Sequence, residues 1–144
     1  MTWCWPPRRR TPARGCSHRY TPHVIGIGTD LVEVERFRTT LERTPSIKQR
    51  TFTEAEQDYA DKKNDPTERY AVRWAAKEAV MKAMGVGLGE VAMVEIEVVR
   101  ADSGAPSILL HGTAAAKAAK LGITEWRITL THTESLAQAF AVAL

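Results

Sequence analysis

Two acids and a lysine are the residues whose types and spacing could do chemistry in this chain. Glu78 and Lys82 stand at i and i+4 within residues 73–85, RWAAKEAVMKAMG, and so share one helix face a turn apart. Asp30 is a second acid, far upstream at the end of an apolar run. Two carboxylates with no cysteine and few histidines around them suit a hard cation such as Mg²⁺. That ion takes one or two protein carboxylates and fills its shell with water and phosphate oxygens. Lys82 adds a point charge for phosphate, and Arg73 a fork of donors. His132 could donate to phosphate or act in proton transfer, and equally could be an ordinary turn histidine. Carboxylate pair, lysine and the glycines Gly85, Gly87 and Gly89 together fit phosphoryl or pyrophosphate chemistry. Taken singly, each has a plainer reading: Asp30 a helix N-cap, Glu78 and Lys82 one ion pair on a solvated face.

The elements that must position these groups follow from periodicity. Residues 73–85 read as the second half of a long amphipathic helix that Pro66 starts and Gly85 stops, with Arg73 and Lys77 as a second i, i+4 pair. Residues 24–28, VIGIG, read as a buried strand whose glycines admit close approach of another backbone or a ligand. Two glycines alone make no dinucleotide fingerprint. Thr29 and Asp30 then offer an N-cap to a helix over residues 31–43. Thr53 with Glu56 is a capping-box pattern opening a helix to about Lys63. Further on, Val94, Ile96 and Val98 alternate as a strand, and residues 102–106 turn into a partner strand over 107–110. An alanine-rich helix over 113–121 and strands near 126–131 and 136–144 complete the chain, with a polar turn at 131–135. The expected class is α+β, a mainly antiparallel sheet packed on one long helix.

Composition sets the partners. At 144 residues and 44% hydrophobic, the chain suits one soluble domain. It has no apolar run long enough to span a membrane. The net charge of +3 misleads. Residues 1–23 carry five arginines and no acid, while the rest holds the other 15 Lys and Arg against all 17 Asp and Glu, a net −2. Residues 1–22 are therefore expected to be a basic, disordered extension, with residues 23–144 forming a single domain. The extension lacks the apolar segment of a secretory signal. Both cysteines, Cys4 and Cys16, lie in it, so no disulfide framework or cysteine metal site is expected in the domain.

Three blocks in order carry a resemblance: IGIGTDLVEVERF (25–37) with TFTEAE (51–56), RWAAKEAVMKAMG (73–85), and ITLTHTESLA (128–137). Through them residues 24–144 resemble the small 4'-phosphopantetheinyl transferases of the holo-acyl-carrier-protein synthase type. The AAKEA core is the most specific part. The resemblance implies transfer of the 4'-phosphopantetheine arm of coenzyme A to a serine of an apo acyl carrier protein or carrier domain. Adenosine 3',5'-bisphosphate would be released, in fatty acid or polyketide synthesis. It implies Asp30 and Glu78 as Mg²⁺ ligands, and Asp30, Glu78 and Lys82 as the catalytic group. Either Glu78 or a metal-bound water would take the serine proton. It implies Arg73, Lys82, Gly85, His132 and Thr133 as contacts to coenzyme A, and Arg36, Arg43 and Arg50 as a docking face for the acidic carrier. A homotrimer with sites between subunits is implied as well, acting in the cytoplasm without membrane or nucleic acid.

This sequence departs from the family in two places. Ala105 stands where the family often has Lys or Arg, which puts in doubt one contact to the coenzyme A 3'-phosphate. The arginine-rich extension is foreign to the family. Two rivals remain: a Mg²⁺-dependent pyrophosphate hydrolase using the same carboxylates and lysine, and a nucleic-acid-binding module relying on Arg8, Arg9, Arg10, Arg14 and Arg19.

Overall fold

The computed structural model describes residues 23–101 and 103–144. The proposed extension, residues 1–22, lies outside the described residues. A first strand β1 (Gly26–Glu33) leads into helices α1 (Val34–Arg43), α2 (Ile47–Thr51), α3 (Glu54–Ala60) and the long α4 (Thr67–Met84). A short 3₁₀ turn (Met93–Glu95), the hairpin β2 (Ile96–Arg100) and β3 (Pro106–Leu110), helix α5 (Gly112–Lys120), and strands β4 (Trp126–His132) and β5 (Leu136–Ala143) follow. The strands form a three-stranded sheet in the order β1-β5-β4 and the separate β2-β3 hairpin, with every pairing antiparallel. The fold is α+β, as expected.

Helix α4 is the centre, and small residues let the sheet come close to it. The sheet face turned inward carries Gly26, Gly28, Ala137, Ala139, Ala141 and Ala143, and α4 meets it with alanines. A Cβ on Gly28 would stand 1.9 Å from the Ala79 carbonyl oxygen, and one on Gly26 the same distance from that of Ala83. The two glycines of VIGIG thus serve a backbone contact. Gly85, at φ 66°, closes α4 in the left-handed conformation that suits a glycine stop.

Three expectations need correction. Residues 31–33 are strand, because β1 pairs with β5 all the way from Gly26–Ala143 to Glu33–Leu136. Asp30 therefore sits mid-strand and caps no helix; α1 begins after Glu33 with no side-chain cap. Helix α4 is not amphipathic, since 13 of its 18 residues are buried, Arg73 and Lys77 included. The helix opened by the Thr53–Glu56 capping box does form, with both reciprocal bonds made, but it stops at Ala60. Asp65 accepts from the Thr67 N–H at the start of α4 and holds Arg38 of α1 through two hydrogen bonds of 2.9 and 2.8 Å. That guanidinium keeps the Asp65 carboxyl well below the usual carboxylate range. Among the described residues, no helix is long and apolar enough to cross a membrane.

Candidate active site

The strand–helix contact brings the two acids and the lysine together. In the sheet Asp30 lies opposite Ala139 on the face turned toward α4. Lys82 donates to Asp30 Oδ1 at 2.7 Å and to the Thr29 carbonyl at 3.1 Å. Glu78, one turn earlier, is half-buried; burial raises its pKa first, the Asp30 charge adds to that, and Lys82 offsets part of it. Asp30 and Glu78 line one groove of about 420 Å³, walled by Leu31, Phe37, Trp74 and Leu136 and by Arg36 and Thr40.

Two carboxylates facing one lysine leave a site short of positive charge, and the Asp30 charge adds to the burial that raises the Glu78 pKa. A divalent cation fits that deficit. Among the described residues no group of three or more His, Cys, Asp or Glu could hold a metal. The protein would thus supply only two oxygen ligands, which matches Mg²⁺ shared with a phosphate substrate.

Arg73 and His132 do not join this groove. They line a second cavity of about 360 Å³ with Tyr59, Lys63, Glu68, Arg69, Arg100 and the Gly104–Pro106 turn. Three guanidiniums surround the Tyr59 ring, those of Arg73 at 4.3 Å, Arg69 at 4.7 Å and Arg100 at 5.5 Å. Burial alone would raise the Tyr59 pKa, but the charges of Arg100 and Arg69 outweigh it and the phenol is more acidic than usual. Burial also lowers the pKa of Arg73, whose Nε is buried without a hydrogen-bond partner. So many cations around one cavity make it a place for an anion. His132 Nδ1 meets Glu68 Oε1, and Lys63 holds the same carboxylate at 2.5 Å and lowers its pKa.

The remaining expected residues are placed less tightly. Gly85 and Thr133 line neither cavity. Thr133 closes the β4–β5 turn, its hydroxyl accepting from the Leu136 N–H at 3.1 Å. Arg36 and Arg43 fall on one stripe of α1 at i and i+7, both exposed, and Arg36 borders the groove. Arg50 is exposed on α2. Sequence reasoning missed Tyr59, Arg69 and Arg100. The available signal was Arg69 and Arg73 at i, i+4, a repulsive like-charge pair in the middle of a helix that calls for a reason.

Comparison with known proteins shows the family. Residues 26–140 match the profile of the 4'-phosphopantetheinyl transferase superfamily. A holo-acyl-carrier-protein synthase of Frankia casuarinae is 46% identical over 120 residues, covering 83% of this chain and 97% of the relative. That of Streptomyces avermitilis is 42% identical with the same coverage. Among solved structures, the holo-acyl-carrier-protein synthase of Neisseria meningitidis superposes with a TM-score of 0.78 at 27% identity, covering 85% of this chain and 99% of that one. The Helicobacter pylori enzyme, solved in complex with coenzyme A, superposes with a TM-score of 0.72 at 26% identity, covering 82% and 99%. With a central alanine-rich helix presenting one carboxylate, a strand presenting another, and these similarities over most of its length, the chain belongs to the 4'-phosphopantetheinyl transferase superfamily, in its holo-acyl-carrier-protein synthase branch.

Proposed function

We propose that this protein transfers the 4'-phosphopantetheine group of coenzyme A to a serine of an acyl carrier protein or carrier domain, in a Mg²⁺-dependent reaction serving fatty acid or polyketide synthesis. The observation that carries it is the meeting of Asp30, Glu78 and Lys82 at the mouth of one groove. The serine oxygen attacks the β-phosphorus of the pyrophosphate, and the bond from that phosphorus to the bridging oxygen breaks. Adenosine 3',5'-bisphosphate leaves with the electron pair. Asp30 and Glu78 would hold Mg²⁺, which would supply charge neutralisation for the pyrophosphate. Lys82 stabilises the negative charge that grows on the leaving group. The serine proton passes either to Glu78 or to a water in the groove. Arg73 and His132 bind the anionic nucleotide end, with Thr133 following His132; Gly85, outside both cavities, enters through the family resemblance. Arg100 and Arg69 supply cationic charge near the turn where Ala105 provides none. Arg36, Arg43 and Arg50 form the docking face for an acidic carrier.

The groove and the cationic cavity share no lining residue within one chain. A ligand with a reactive pyrophosphate and a distant phosphate is better served by the groove of one copy and the cavity of a neighbour. The outer sheet face supports such an assembly: Ile27 is 60% exposed, Leu31 57% and Phe140 41%, all on the side away from α4. The homotrimer with sites between subunits that the family resemblance implies would supply that arrangement.

Mass spectrometry of an apo acyl carrier protein after incubation with this protein, coenzyme A and Mg²⁺ tests the reading. A gain of one phosphopantetheine that EDTA abolishes is expected. Asp30→Ala and Glu78→Ala are each expected to lower the rate by about 10²-fold or more while leaving the fold intact. Coenzyme A cleavage without any carrier gain would favour the pyrophosphate hydrolase instead. Deleting residues 1–22 is expected to leave transfer unchanged, whereas a nucleic-acid-binding module would lose its affinity.

A further inference from the structure

Lys77 precedes Glu78 yet takes no part in either cavity. Its side chain is wholly buried, and its ammonium spends all three protons inside the protein. They go to Glu56 Oε2 at 2.8 Å, the Met93 carbonyl at 3.1 Å and the Ile96 carbonyl at 2.5 Å. Glu56 is equally occupied: Oε2 also accepts from the Thr53 N–H and Oε1 from the Val98 N–H, each at 3.0 Å. One buried ion pair thus ties the start of α3, the middle of α4 and the start of β2 at a single point.

Buried pairs of this kind seldom add stability over well-packed apolar residues; their better-attested use is to specify register. In α4 the pair adds to the packing of Trp74 on Phe37 and Tyr70 on Phe52 in setting register. The sheet-facing side of the helix is alanine against glycine and alanine, a smooth contact with few ridges to set rotation or axial position. At 100° per residue Lys77 points roughly opposite Ala79, so the pair grips the helix from the side away from the sheet. Glu78 lies on the flank between these two contacts, where a small rotation of α4 would carry its carboxylate away from Asp30.

We infer that Lys77 and Glu56 are a positioning pair for the reaction, fixing α4 so that Glu78 faces Asp30 across the groove. The kinetic part rests on the transferase reading; the geometric part does not. The double variant Glu56→Gln/Lys77→Met removes both charges together and keeps an acceptor for the Val98 N–H. It is expected to fold with a lowered Tm, because the Met93 and Ile96 carbonyls lose the donor that Lys77 supplied. Its kcat is expected to fall roughly ten- to a hundred-fold, as a misplaced catalytic group requires. KM for coenzyme A should stay within about two-fold. Its crystal structure should show α4 turned or shifted, with the Asp30 and Glu78 carboxylates further apart. Should that variant not fold, Glu56→Gln/Lys77→Gln, an amide pair of similar reach, takes its place under the same readings. Unchanged kcat, or a fallen kcat with α4 superposing on the unaltered structure, overturns the inference. If the unaltered protein transfers no phosphopantetheine, the transferase reading fails and the position of α4 in the variant still decides this one.

Discussion

Burial and the neighbouring Asp30 charge both raise the pKa of Glu78, and Lys82 offsets them only in part. The folded protein therefore binds this proton more tightly than the unfolded chain does. Stability falls as pH rises through the window from the ordinary glutamate range up to the raised folded value, and the full cost persists above it. Glu78→Gln removes the ionisation and should raise the Tm by about 1–3 °C at neutral pH, while giving little or no gain near pH 3. Thermal unfolding of both proteins at the two pH values checks this; an equal gain at both would show that the charge is not the cause. The same variant should be inactive, so stability and activity move in opposite directions at this residue. Glu78, Lys82 and Asp30 were legible in the sequence because spacing puts the first two on one face and a distinctive AAKEA core marks them. Lys77, in that same core, was legible only as the i+4 partner of Arg73. A charge at helical spacing looks alike whether it meets water or a buried partner, and its partner Glu56 is 21 residues away.

At the scale of elements, the strand–helix contact decides where the site lies. A methyl group at position 28 would collide with the Ala79 carbonyl oxygen, which is backbone and cannot swing aside. Gly28→Ala should cost more than ~3 kcal/mol, read as a lowered urea midpoint, because either β1 or α4 must move. Activity should fall even in protein that remains folded, since Asp30 rides on β1 and Glu78 on α4. The capping box, the glycine stop of α4 and the β2–β3 hairpin were all readable, because each is a local rule obeyed locally. The end of β1 was not. Residues 31–33 look like the first turn of a helix, and only pairing with β5, more than 100 residues later, makes them strand. The all-round burial of α4 was hidden for a related reason, as alanine is compatible with either a solvated or a packed face.

For the whole molecule, the outer face of the β1-β5-β4 sheet is the feature that asks for a partner. Apolar side chains at Ile27, Leu31 and Phe140 stand in solvent on the face that does not touch α4. Phe140→Asp should convert an oligomer to a monomer on size-exclusion chromatography with light scattering, and should lower transfer by about 10-fold or more if sites lie between subunits. A fully active monomer would sink the shared-site reading. Nothing in the linear pattern told this face from a packed one, because alternation assigns two faces to a strand without saying what covers each.

The separation of the carboxylate groove from the arginine cavity has a genetic counterpart. A chain lacking Glu78 keeps the arginine cavity, and a chain lacking Arg73 keeps the rest of the carboxylate groove. Expressed together, Glu78→Ala and Arg73→Ala alleles should complement each other. Random mixing would leave about a quarter of the intersubunit sites with both functional halves. Two strains that each fail to modify their carrier would thus yield, when combined in one cell, measurable holo carrier. Sites contained within one chain would give none, however the subunits were mixed.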